Sequence, residues 1–112
     1  MQITARELLA RLPGKVTEKW PEGERFAQAF AHGTMSVELY APVGTDPQSP
    51  HSQDELYFVI SGTGDFVSGE ERMSVSPGAA VFVPAGRPHR FENFSPGFAT
   101  WVVFWGPQGG ER

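Results

Sequence analysis

From about residue 25 onward, apolar and polar side chains alternate in short runs, and turn formers separate the runs. Residues 34–41 are the clearest case: Met35, Val37 and Leu39 fall on one face, and Ser36, Glu38 and Tyr40 on the other. That period of two predicts a strand. Strand-like runs also cover 25–31, 55–61, 64–67, 72–75, 80–83, 90–94 and 99–105. Gly33, Gly62, Gly64, Gly69, Pro77-Gly78, Pro84-Ala85-Gly86 and Ser95-Pro96-Gly97 punctuate them. Many short strands with regular turn signals predict an all-β sandwich or barrel. In the runs 55–61 and 99–105 both faces are apolar. A small barrel cannot wholly bury such strands within itself, so a homodimer is expected.

The first dozen residues follow a different period. Thr4 is placed to cap a short helix, and Glu7 three positions later completes a capping box. Ile3, Leu8 and Leu12 give it an apolar stripe, and Pro13-Gly14 ends the pattern. A helix this short is unstable alone, so it should pack on the barrel or on a partner subunit. The expected organisation is a helix and lead-in over 1–24, a barrel over 25–107, and a polar, glycine-rich tail over 108–112. The tail is expected to be mobile unless it docks.

Composition narrows the function classes. The 112 residues are enough for one core and too few for two. Nine Lys and Arg against thirteen Asp and Glu give a net charge of −4, which disfavours a nucleic-acid role. No apolar run reaches the roughly 18 residues of a membrane span. The N-terminal residues lack the basic-then-apolar plan of a secretory signal, so a cytoplasmic location is expected. The absence of cysteine excludes a disulfide scaffold and thiolate chemistry.

Two segments carry the candidate chemistry. One runs Gly44, six residues, His51, three residues, Glu55, six residues, Gly62. The other runs Gly78, five residues, Pro84, Ala85, Gly86, two residues, His89, three residues, Asn93. The chain has three histidines, and two of them fall in these segments. Imidazole nitrogens with a carboxylate suit a divalent transition metal that must also meet a substrate. His32 lies beside a turn signal with no such partner and is expected to be a turn residue. Proline and glycine at 84, 86 and 88 predict a rigid turn that brings His89 near Glu55.

These segments resemble the two motifs of the cupins, G(X)5HXH(X)3,4E(X)6G and G(X)5PXG(X)2H(X)3N. The second is matched at every defined position, by Gly78, Pro84, Gly86, His89 and Asn93. The first is matched at Glu55 and Gly62 and departs around its histidines. Aligned four residues before Glu55, His51 takes the second histidine position and Ser49 the first. Taken as the first histidine instead, His51 leaves Gln53 at the second, with too short a spacer to Glu55. The former alignment is preferred, because a strand sets the glutamate while the preceding loop can slip. The resemblance covers roughly residues 25 to 107 and extends to small bacterial single-domain cupins. It implies a double-stranded β-helix, or jelly roll, with the short helix outside. It also implies a divalent metal (Fe, Mn, Ni or Zn) on His51, Glu55 and His89, with Gln48 and Gln53 as candidate neutral oxygen ligands.

The leading functional expectation is a metal-dependent enzyme acting on a small organic molecule. Two histidines and one carboxylate suit Fe(II) oxygen chemistry, so a dioxygenase comes first and an isomerase or lyase next. Tyr57 and Glu38 are acid–base candidates by proximity to the expected interior. The alternative class is a non-catalytic module that binds or senses a metal or small ligand.

Overall fold

Each of the eight alternating runs becomes a strand in the computed structural model, which describes all 112 residues. They are β1 (Phe26–His32), β2 (Met35–Tyr40), β3 (Asp54–Ser61), β4 (Gly64–Ser68), β5 (Glu71–Val75), β6 (Ala80–Val83), β7 (His89–Glu92) and β8 (Ala99–Trp105). β1, β2, β8, β3 and β6 form one sheet in that order, and β5, β4 and β7 form the other. Every pairing is antiparallel. The two sheets wrap one interior as a jelly roll, the arrangement that the family resemblance implied for the sandwich or barrel read from the alternation.

Strand period decides what reaches that interior. Glu55, Tyr57 and Val59 alternate inward along β3, and Val81, Val83, Val102 and Phe104 share their side. Phe66 and Phe91 meet them from the smaller sheet, with ring centroids 5.1 Å apart, and Tyr57 stands edge-on to Phe91 at 4.9 Å. β2 orients the opposite way from a simple apolar-inward strand. Its polar face, Ser36, Glu38 and Tyr40, lines the cavity, while Leu39 is fully buried on the outside.

The helix explains that orientation. α1 (Ala5–Leu9) is shorter than the first dozen residues, and both halves of the Thr4–Glu7 capping box form. Leu8, fully buried, packs with Leu39, Ala41 and Ala99 against the outer face of the larger sheet, alongside Ile60 and Trp101. The outer face of β2 therefore has an apolar partner, which frees its inner face to be polar. Beyond α1 the outer face is open: Phe58 and Phe82 are 43% and 56% exposed.

The C-terminal tail docks rather than hanging free. Gly109 N–H donates to the Ser52 carbonyl at 2.7 Å, and Glu111 N–H donates to the Asp54 carboxylate at 2.9 Å. Gly110 passes so close that an added Cβ would lie 2.8 Å from an Asp54 carboxylate oxygen, at φ +89°. A glycine is required there. No helix is long and apolar enough to cross a membrane.

Candidate metal centre and its cavity

His51, Glu55 and His89 converge from three elements. Glu55 is the second residue of β3 in the larger sheet, His89 opens β7 in the smaller, and His51 lies on the loop before β3. One ligand atom from each lies within 4.8 Å of the others. The two motif segments are tied directly: Gly86 N–H donates to the His51 carbonyl at 2.7 Å, and Ala85 N–H to Asp54 at 3.0 Å. Gly86 makes this turn at φ +78°, a conformation that L side chains seldom adopt. His32 ends β1, exposed and at the tight Gly33-Thr34 turn.

Hydrogen bonds fix the orientation of the His89 ring. Its Nδ1 lies 2.8 Å from the Arg87 carbonyl, which accepts the Nδ1 proton and leaves Nε2 facing the cluster. Nε2 is 3.0 Å from the Tyr57 hydroxyl and 3.1 Å from Glu55 Oε1. Burial opposes protonation of His89, but hydrogen bonds to Glu55 and the Arg87 carbonyl, with the Glu55 charge, outweigh it and raise its pKa. For His51 burial wins over the attraction of Glu55, and the pKa falls. Its ring packs against Phe104, centroids 4.5 Å apart.

Glu55 supplies the test of whether a cation fits. The residue is 1% exposed, its Oε1 is faced by His89 Nε2 at 3.1 Å, and its Oε2 lacks a hydrogen-bond partner. A buried carboxylate without full satisfaction is costly unless a positive charge meets it. Two imidazoles and this carboxylate form a donor set that can hold a divalent metal.

The two glutamines line the same cavity as His51 and Glu55 and make hydrogen bonds of their own. Gln48 donates to Asp46 at 2.6 Å and accepts from the Tyr57 hydroxyl at 2.9 Å, so its amide bridges the loop and the core. The Gln53 side-chain nitrogen donates to the carbonyls of Thr34 and Gly106, both at 2.9 Å. Ser49 Oγ accepts from Lys19 Nζ at 3.2 Å on the exposed side of the loop.

Asp46 is a residue whose importance the spacing of motifs does not disclose. It accepts from the Tyr40 hydroxyl, from both nitrogens of Gln48, and from the Phe91 N–H at 2.8 Å. The loop carrying His51 is thereby pinned to both sheets. The only local sign is that Asp46 precedes Pro47 at the start of that loop.

A cavity of about 550 Å³ opens beside the triad. His51, Glu55 and Tyr57 lie on its lining, and Glu38 reaches it from β2. Its outer wall comes from the lead-in, where Thr17, Lys19, Trp20 and Glu24 fold over the barrel. Thr17 and Trp20 close a turn through Thr17 N–H to the Trp20 carbonyl at 3.0 Å, and Glu24 N–H donates to the Lys15 carbonyl at 2.9 Å. Burial, with the charges of Glu55 and Glu24, pushes the Glu38 carboxyl up to about 7. Tyr57 is raised well above the usual phenol range by burial and by Glu55.

Comparison with known proteins accords with this architecture. A family model described as a Cupin domain matches residues 36–105. The uncharacterized protein SCO3923 of Streptomyces coelicolor is 40% identical over 100 residues, covering 88% of this chain and 95% of that one. The dimethylsulfoniopropionate lyase DddQ of Ruegeria pomeroyi is 31% identical over 80 residues, covering 69% of this chain and 40% of that protein. Among solved structures, protein NMB1881 of Neisseria meningitidis superposes with a TM-score of 0.68 at 17% identity, over 95% of this chain and 100% of that one. That last likeness is one of fold.

Proposed function

The chain belongs to the cupin family, and from that premise we propose that it is a metal-dependent enzyme performing proton-transfer chemistry on a small organic molecule. His51, Glu55 and His89 would hold the cation, with Fe, Mn, Ni or Zn all compatible with this donor set. When bound there, a divalent ion supplies Lewis acidity that stabilises negative charge developing on a substrate oxygen.

The observation that carries this reading is the Tyr57 hydroxyl, 3.0 Å from His89 Nε2 and oriented by Gln48 at 2.9 Å. It holds a proton at the inner end of the cavity, where a substrate atom beside the triad would meet it. Such a group suits proton exchange next to a polarised carbonyl or carboxylate, the step shared by lyases and isomerases. The 31% relation to a lyase supports the same order of preference. A dioxygenase is the second reading, favoured by the two-histidine, one-carboxylate donor set. We also propose a homodimer joined through the open outer face around Phe58 and Phe82.

The test loads purified protein with each metal and screens small carboxylic acids in D2O by proton NMR, with an oxygen electrode in parallel. The lyase or isomerase reading predicts solvent deuterium or elimination products, at least a hundredfold slower in Tyr57→Phe with metal retained. Substrate-dependent oxygen uptake that Tyr57→Phe leaves unchanged would replace it with the dioxygenase.

A further inference from the structure

The cavity has a second end, and its chemistry differs from that of the triad. Trp20, Phe26 and Tyr40 stand together on its wall, with the Trp20 ring centroid 6.1 Å from each of the other two. Interplanar angles of 65° and 77° set the three rings edge to face, so they present differently oriented surfaces to the space they share. Glu24 and Glu38 line the same cavity, close enough to each other that the Glu24 charge raises the Glu38 pKa. Lys19 is the single cation on the lining, and Ser49 Oγ holds its Nζ at 3.2 Å. Apart from Glu55, the lining therefore carries two carboxylates against one ammonium. Glu55, also on the lining, is buried and shares its charge with His89 Nε2, 3.1 Å from its Oε1.

Aromatic faces with nearby carboxylates are the recognised means of binding an organic cation that has shed its water. We propose that this aromatic and acidic end of the cavity receives the positively charged head of the ligand, a quaternary ammonium, sulfonium or alkylammonium group. The proposal rests on the metal reading above for the other end of the ligand, which would carry an anionic or carbonyl group toward His51, Glu55 and His89. A zwitterion or a cationic carbonyl compound is the class that fits both ends. The half-buried carboxylates gain from such a guest: a positive charge beside Glu38 offsets the crowding of negative charge that burial makes costly. The uncharged rings supply shape and quadrupole, and Tyr40 keeps its proton because Asp46 accepts it.

Isosteric probes separate charge from shape. Choline and its uncharged carbon isostere, 3,3-dimethylbutan-1-ol, are titrated calorimetrically into metal-free protein. Choline should bind roughly tenfold tighter than the alcohol, since one desolvated cation–π contact contributes that order of selectivity. Glu24→Gln and Glu38→Gln should each weaken choline severalfold and leave the alcohol unaffected. Trp20→Ala should abolish the preference, and Trp20→Phe should keep part of it if the alanine variant fails to fold. Equal or tighter binding of the alcohol, or choline binding indifferent to both glutamine variants, would overturn the proposal. Because these titrations need no metal, they read the cation site whether or not the triad binds a metal. A second pair, trimethylglycine against 3,3-dimethylbutanoate, is then run on metal-loaded protein. Preference for trimethylglycine that strengthens on metal loading supports both ends. Choline selectivity without any gain from metal keeps the cation site and removes the metal reading. Metal retention without choline selectivity does the reverse.

Discussion

Glu38 is a carboxyl group placed where ionisation is expensive. It faces a half-closed cavity from β2, and burial together with Glu55 and Glu24 raises its pKa from 4.5 to about 7. The folded chain therefore holds this proton more tightly than the unfolded chain does. Stability that depends on Glu38 is full below pH 4.5 and is lost as pH rises through about 7. Glu38→Gln should leave the metal-free protein unchanged near pH 4.5 and stabilise it above pH 7 by about 2–3 kcal/mol. Urea unfolding at the two pH values checks this. A variant that is less stable at pH 8 would show that Glu38 is ionised and satisfied in the free protein. Residues at this scale were unevenly legible. His51, Glu55 and His89 stand at motif spacing, so their convergence could be read along the chain. Tyr57 was legible only as an inward residue, because its nearness to His89 depends on how the two sheets face each other. Asp46 bonds to Tyr40, Gln48 and Phe91 across 45 positions of sequence, and no local pattern encodes such a meeting.

At the scale of elements, the loop between β2 and β3 is the part on which the triad depends most. Asp46 ties it to both sheets, and His51 hangs from it. Asp46→Ala should strand the Phe91 N–H and the Gln48 amide, at a cost of about 1–3 kcal/mol for each unpaired buried group. It should also weaken metal retention although all three ligands remain. Thermal unfolding with metal analysis of the same sample checks both effects, and a fully loaded variant would show that His51 is held by other means. α1 makes a contrasting case. Leu8→Ala should lower stability by about 2–4 kcal/mol, as a large-to-small change in a fully buried position. Metal content should not move, since α1 packs on the far side of the sheet from the cavity. The strands were readable from alternation and turn formers alone. Glu38 was placed by the expected interior, but the burial of β2's apolar face by α1, not by the barrel, was not legible. The lead-in was likewise opaque: Thr17, Lys19, Trp20 and Glu24 form the cavity wall without any periodic pattern.

For the molecule as a whole, the open outer face bears on assembly. Leu56 and Phe82 are cross-strand partners on that face, and the Phe82 and Trp105 rings lie 6.2 Å apart. With Phe58 and Phe82 largely exposed, this surface resembles an interface more than a solvated sheet. Light scattering at micromolar concentration should return the mass of a dimer, and Phe82→Lys should return that of a monomer with its metal site intact. A monomer mass for the unmodified protein would mean that the patch is solvated or serves another partner. The central claim, however, is that His51, Glu55 and His89 form a metal centre joining the two sheets. Its most direct test is the metal content of purified protein by mass spectrometry, after dialysis, for the unmodified chain, His89→Ala and His32→Ala. The account predicts near-stoichiometric metal in the unmodified chain and in His32→Ala, and at least a tenfold loss of retained metal in His89→Ala, with the barrel still folded. Equal metal in His89→Ala and the unmodified protein would contradict it.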